Sequence, residues 1–594
     1  MLADGLTRMC SSFSNRCARL VLICTLLPVT ALAQSSTTDS SATPDALFRE
    51  GYAAVQNNDL KTAEKKFAEL VKISPQVAVA HSAYGSVLLS EGKQLAAIRE
   101  LETARQIDPA ETTSIANLAR AYEQTSQFEK AITMYCSAMS QQIPMSAESY
   151  FDYAHLLTNA GRLDDAEAEL STAVAALPSD STLRDALGVI DAQQHKLTDA
   201  EKQFSQAATL DPSAFLPHLH LGATLLLEQK PLEAVKELTA ARAIQPDSAD
   251  VELQLGKALS AAGQENAGLD SLRRAVQLAP GSTDAKYQLA LALQNHGDVL
   301  NALPLLQEVV QARPQDPEAL TNLGLAYLQT GKAKDALTYY DRALQIDNKK
   351  WILREDMGVA YLQQSDLDHA MEQFREGLKL NPDNAQLHYD LGLALKLKDR
   401  APEAIAELQL AEKQDASLPD PPYTMGVLLM QTGRFPEAVA QLSKATELRP
   451  DNGEAWSVLG SVYKSLDQKD QAIIALQKAI QLSPDQPGNH INLAAIYAQQ
   501  GRHDDAVAER KIAADLSRAA TGKQHSNFAL ETGRSLLKQG HVDEAVKQFQ
   551  DAIAADPDSA GAHLSLSEAL AQQGKSADAA IERQKAANLQ AVHP

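Results

Sequence analysis

Small and bulky apolar positions recur along this chain with a period of 34 residues. Ala63, Ala97, Ala131, Ala166, Ala200, Ala234, Gly268, Ala302, Ala336, Ala370, Ala404, Ala438, Ala472, Ala506, Ala545 and Ala579 mark the period, which is broken twice. Twelve residues before each of these rungs stands Gly, Ala or Ser, such as Gly324 before Ala336 and Gly358 before Ala370. Thirteen before is usually a large aliphatic residue (Leu323, Leu391), nine before is commonly Leu or Tyr, and four after is commonly bulky (Phe204, Tyr340, Phe374). Offsets of three and four place each set on one helical face, so every period predicts two helices. Antiparallel helices approach closely only where the facing residues are small. The pattern therefore predicts that Gly324 meets Ala336 while Leu323 and Tyr340 fill the flanks. Gly92, Gly161, Gly263, Gly297, Gly331, Gly433, Gly501, Gly540 and Gly574 each stand five residues before a rung, where a left-handed residue stops the first helix. Pro twelve residues after many rungs ends the second helix or starts the next.

Several independent positions recurring in register resemble the tetratricopeptide repeat (TPR) family, with sixteen repeats over roughly residues 44–589. The resemblance implies an all-α, right-handed superhelical solenoid of helix-turn-helix repeats whose first helices line a concave groove. It also implies the job of holding other proteins and no activity of the family's own.

Length alone, 594 residues, would suggest about four domains. A solenoid overrules that, because each unit buries its apolar face on its neighbours. The formal charge of −22 and pI near 5.1 argue against nucleic acid as the main partner, since no basic stripe is present for phosphates. The first 33 residues differ from the rest: Arg8, Arg16 and Arg19 precede an apolar stretch from Leu20 to about Leu32, and Ala31 and Ala33 fit a signal peptidase. We read 1–33 as a cleaved signal peptide, 34–43 as a Ser/Thr-rich disordered linker, and the protein as exported to the periplasm or secreted. The stretch is shorter than a bilayer-spanning helix, so no membrane span is expected after leader removal. Cys10, Cys17 and Cys24 leave with the leader, and Cys136 stands alone, unable to close an internal disulfide.

The two breaks differ in size. One residue is added around Gln141–Pro144, and five are added near Ala519–Gln524. Four residues after Ala506 the bulky position is Arg510, a polar face of the kind a terminal repeat carries. These features divide the array into repeats 1–14 over 44–519, a loop or hinge at 520–527, and repeats 15–16 with a C-terminal cap over 528–594.

No catalytic, cofactor or metal constellation emerges. Lys575-Ser576 after Gly574 lacks the other glycine of a phosphate loop, the two Ser-x-x-Lys matches lie inside repeat helices, and the His residues show no metal spacing. The groove remains. In the family, a side chain fourteen residues before each rung projects into the concave surface. Here that offset holds Asn117, Gln254, Gln288, Asn322, Asp356, Asp390, Thr424 and Asn492, among others, with Tyr287, Glu355, Tyr389 and Tyr423 one residue earlier. An amide offers both donor and acceptor to a peptide backbone. This is similar to the asparagine ladder in the repeat arm of O-linked N-acetylglucosamine transferases, although only Asn117, Asn322 and Asn492 keep Asn. Leu291, Leu325, Val359, Leu393 and Val427 flank the ladder, and on the bland reading they pack neighbouring first helices together. Glu355 and Asp420 add negative charge, with Lys396 the nearest cation, so an extended segment carrying Lys or Arg is the expected partner. The expectation is a non-enzymatic scaffold binding extended protein segments, without cofactor. The competing reading is a TPR component of an envelope glycan-export or outer-membrane assembly machine.

Overall fold

The computed structural model describes residues 43–140 and 145–592, which form 31 helices and no strand. The proposed leader and most of the linker, and the one-residue insertion at 141–144, lie outside the described residues. Sixteen hairpins would contain thirty-two helices, and one fusion accounts for the difference. The chain forms two compact units, the first ending at Ala312 and the second beginning at Arg313. Within each, consecutive helices of mostly 13 or 14 residues pack as hairpins and each hairpin packs on the next, an α-solenoid architecture.

Local chemistry explains the punctuation. Many first helices start behind side-chain caps: Asp180 accepts from the Leu183 amide at 2.9 Å, Asn384 from Leu387 at 2.8 Å and Asn452 from Ala455 at 3.0 Å. The nine turn glycines all have positive φ, between 74 and 84°. The remaining seven repeats place Asn58, Ser126, His195, Gln229, Ser365, Asp399 and Asp467 at the same offset, with φ between 55 and 62°. The left-handed stop is thus a property of every repeat, and glycine is only its least strained occupant.

Every rung is buried. The small residue twelve positions earlier approaches the rung, a Cβ on Gly268 falling 3.0 Å from the Gly256 carbonyl, but it also seats a bulkier neighbour. A Cβ on Gly324 would lie 2.5 Å from Tyr340 Cε1, and one on Gly188 would lie 2.7 Å from Phe204 Cε1. The bulky side chain four residues after the rung lies across the glycine, so the glycine seats that side chain. At Gly85 the rung appears only third, through the Ala97 carbonyl at 3.3 Å. Tyr340 and Phe204 are fully buried in this seat and add to the hairpin's apolar burial.

A second recurring device was not foreseen. Sixteen residues before several rungs a side chain ties the two helices of its hairpin to the loop that precedes them. His388 Nδ1 lies 2.7 Å from Glu407 on the second helix of its own repeat, and Nε2 lies 3.0 Å from the carbonyl of Pro382, at the end of the preceding repeat. His81, His218 and His563 repeat the arrangement with Glu100 and Pro75, Glu237 and Pro212, and Glu582 and Pro557. Arg184 and Trp456 reach the corresponding carbonyls of Pro178 and Pro450. Where the position holds Glu252 instead, Arg274 takes over, meeting both Glu252 and the Pro246 carbonyl at 3.2 Å. The carbonyl that each proline leaves outside a helix is thereby satisfied.

The expected loop or hinge at 520–527 is corrected. Residues His503–Lys538 form one helix of 36 residues, joining the second helix of repeat fourteen to the first of repeat fifteen. Most other repeats carry Pro twelve residues after the rung; here that offset is Arg518 beside Ala519 and Ala520, good helix formers, and the helix continues. Gly522 is not a pivot: a Cβ there would collide with the Ala555 carbonyl. The continuous helix leaves a surface depression of about 380 Å³ beside Ile491, Ala494, Arg510 and Ala513. Among the described residues no helix is long and apolar enough to cross a membrane.

Candidate functional site

The ladder residues fourteen and fifteen positions before the rungs lie on first helices, one turn before the aliphatic positions at offset eleven. In the first unit the polar members are engaged with their neighbours. Asn117 Nδ2 donates to Ser86 Oγ of the preceding repeat at 2.7 Å, and Gln254 Oε1 accepts from Lys257 at 3.3 Å. Tyr287 and Gln288 are half-buried. The carboxylates on this strip have partners built into the scaffold. Arg120 reaches Asp152 at 3.0 Å and Glu148 at 3.2 Å, and His220 Nδ1 lies 2.9 Å from buried Asp185.

In the second unit the strip has another character. Asn322 donates to the Glu318 carbonyl of its own helix at 3.0 Å, and Asn492 donates to Ser461 at 3.2 Å while accepting from Lys464 at 2.7 Å. Asn492 therefore links neighbouring repeats, while this bond of Asn322 stays within its own helix. Between them, Glu355 and Asp356 on helix Trp351–Gln363 and Asp390 on helix Ala385–Leu397 form an acidic group. Burial pushes Asp356 up to about 7, with the neighbouring Glu355 adding to it. Burial also pushes Asp390 up to about 7, again with Glu355 adding, while Gln386 Nε2 donating at 3.0 Å works against the rise. Burial raises Glu355 as well.

Tyr340, at zero exposure beneath this group, has a hydroxyl without a hydrogen-bond partner. Burial and then the Asp356 charge raise its pKa. Further along, Tyr389 is raised by burial and Tyr423 by burial and Glu454, with Thr424 buried beside them and hydrogen-bonded to Tyr389. Leu325, Val359, Leu393 and Val427 are half-buried rather than core.

Two sequence expectations about charge need correction. Asp420 is not a free negative charge, because Arg449 meets it at 3.1 Å. Lys396 makes no salt bridge among the described residues and does not offset the acidic group; the charge felt by Asp390 is Glu355. The sequence showed which residues share the face, but not which carboxylates a neighbour neutralises.

Among the described residues no three His, Cys, Asp or Glu side chains are grouped to hold a metal ion. Cys136 is free and exposed, its sulfur 3.0 Å from the Tyr153 hydroxyl.

Stacked helical hairpins presenting a side-chain strip define a repeat scaffold for protein–protein interaction. The tetratricopeptide repeat description matches residues 32–112, 117–181, 253–317, 287–350, 423–487 and 530–589, with further TPR matches at 358–399 and 490–509. These segments cover more than half of the sequence, and the chain belongs to the TPR family, whose scaffold is typically non-catalytic. Among solved structures, it is similar to the APC/C hetero-tetramer Cut9-Hcn1 at 16% identity, covering 89% of this chain and 96% of that one with a TM-score of 0.37. It is also similar to yeast Tom70 at 14% identity, covering 79% and 98% with a TM-score of 0.36. YrrB, described as a TPR protein with an unusual peptide-binding site, is 23% identical over 31% of this chain and 95% of its own, with a TM-score of 0.28. No curated protein matches the sequence.

Proposed function

We propose that this chain is an exported, non-enzymatic scaffold that holds an extended protein segment along the first-helix face of its second unit, in the periplasm or outside the cell. The observation that carries the reading is the strip itself: half-buried Leu325, Val359, Leu393 and Val427 run beside Asn322, Asp356, Asp390 and Thr424. Apolar side chains left partly open between polar groups suit a segment that alternates contacts, since a strand-like ligand presents successive side chains to opposite sides. Export rests on the basic and then apolar leader with small residues at Ala31 and Ala33.

A photo-reactive side chain placed at Leu393 should crosslink to protein segments in envelope extracts, whereas one at exposed Lys236 on a second helix should not. Crosslinking confined to the second-helix position would overturn the assignment of the face. N-terminal sequencing should return a chain starting near Gln34, and recovery of Met1 would remove export from the reading.

A further inference from the structure

Six carboxylates occupy the two ladder offsets in the described repeats: Asp152, Asp185, Glu355, Asp356, Asp390 and Glu531. Three are met by a nitrogen-bearing side chain of the scaffold, Asp152 by Arg120, Asp185 by His220 and Glu531 by Arg534. The other three lie together, on two successive first helices, and none is in a salt bridge among the described residues. Desolvated carboxylates side by side are costly unless a positive charge joins them. Beneath them the Tyr340 hydroxyl, fully buried, also lacks a partner. A buried hydroxyl without a partner is itself destabilising, and a ligand donor would relieve it.

We propose that Glu355, Asp356, Asp390 and the Tyr340 hydroxyl form a subsite that receives the ammonium group of a lysine side chain in the bound segment. This rests on the scaffold reading above and names the partner chemistry at that face. An ammonium is a compact charge with three donors, suited to acceptors that arrive from separate side chains; a guanidinium fork is suited to one carboxylate in a bidentate pair. Val359 and Leu393, one turn after Asp356 and Asp390, offer half-buried aliphatic surface for the lysine methylenes.

The titratable groups around the subsite are Tyr340 from the second helix below, Glu355 and Asp356 on one first helix, and Tyr389, Asp390 and Lys396 on the next. Asp356 and Asp390, raised to about 7 by burial, hold protons for part of the time near neutral pH and would release them when the ammonium arrives.

The test uses the full chain and capped nonapeptides of leucine and serine with one central residue: lysine, Nε-acetyl-lysine or arginine. By calorimetry at pH 7, the lysine peptide should bind at least tenfold more tightly than the acetylated one, with release of protons. Asp356→Asn combined with Asp390→Asn should erase that preference. Removing the same two charges at exposed Asp504 and Asp578 should leave it, which separates the subsite from the chain's overall acidity. Equal binding of the lysine and acetyl-lysine peptides would overturn the subsite and leave the scaffold reading intact. Tighter binding of arginine than lysine would overturn the ammonium assignment. Failure of every peptide to bind at millimolar concentration would overturn both.

Discussion

At the scale of single residues, the fold is held by seats and stops whose sizes are tightly set. Gly324→Ala places a Cβ 2.5 Å from the Tyr340 ring, which is buried on all sides and cannot retreat. We expect a loss of about 1 to 3 kcal/mol by overpacking, read as a lower thermal midpoint of the full chain. An unchanged midpoint would show that the ring can shift. The turn stops predict the opposite sign. Gln229 and Ser126 are non-glycine residues at φ of 61 and 58°, a region that costs an ordinary side chain about 1 to 2 kcal/mol. Gln229→Gly should raise the thermal midpoint, the relief of strain outweighing the added freedom of the unfolded chain. The histidine ties are a further case, because His388→Ala would remove the one side chain that bridges Glu407 and the Pro382 carbonyl. None of these ties was legible as a pair in the sequence, although the His and Glu stand at a constant separation of nineteen residues in five repeats, and that constancy was the available signal.

At the scale of elements, the helix His503–Lys538 shows how absence of punctuation becomes structure. Five extra residues suggested a loop, but the run around Arg518 lacks the Pro that ends most second helices, and Ala519 and Ala520 favour continuing the helix. Gly522 gives a discriminating experiment. By helix propensity alone, Gly522→Ala would stabilise an exposed helix by about 1 kcal/mol. The Ala555 carbonyl lies where the new Cβ would go, and a backbone atom has little room to yield. We therefore expect destabilisation in thermal unfolding; stabilisation would mean that the close approach does not exist in solution.

At the scale of the whole molecule, the charge balance couples folding and binding to pH and salt. Asp356 and Asp390 bind protons more tightly folded than unfolded, so their contribution to stability is full below about pH 4 and is lost as pH rises through about 7. Buried Asp191, pushed up to about 6 by burial, acts in the same direction. The Asp356→Asn and Asp390→Asn pair should raise the thermal midpoint at pH 8 and change it little at pH 4. An equal rise at both would deny these carboxylates their raised values. Binding of a basic segment to this acidic strip should weaken as ionic strength increases, because the long-range attraction that draws the segment in is screened.

The amino-acid sequence by itself determined the helical hairpins, their register and the family. The 34-residue recurrence of small, aliphatic and turn positions is a local code that each hairpin satisfies with its own residues. It also placed Asn322, Asp356 and Asp390 on one face, since helical spacing is sufficient for that. Only the tertiary structure decided which side chain each glycine seats, that residues 520–527 continue a helix, and that Arg449 neutralises Asp420 while Glu355, Asp356 and Asp390 are left without a cation. Those outcomes depend on contacts between one helix and the next and on how far a charge is taken out of water. Neither is a function of spacing along the chain.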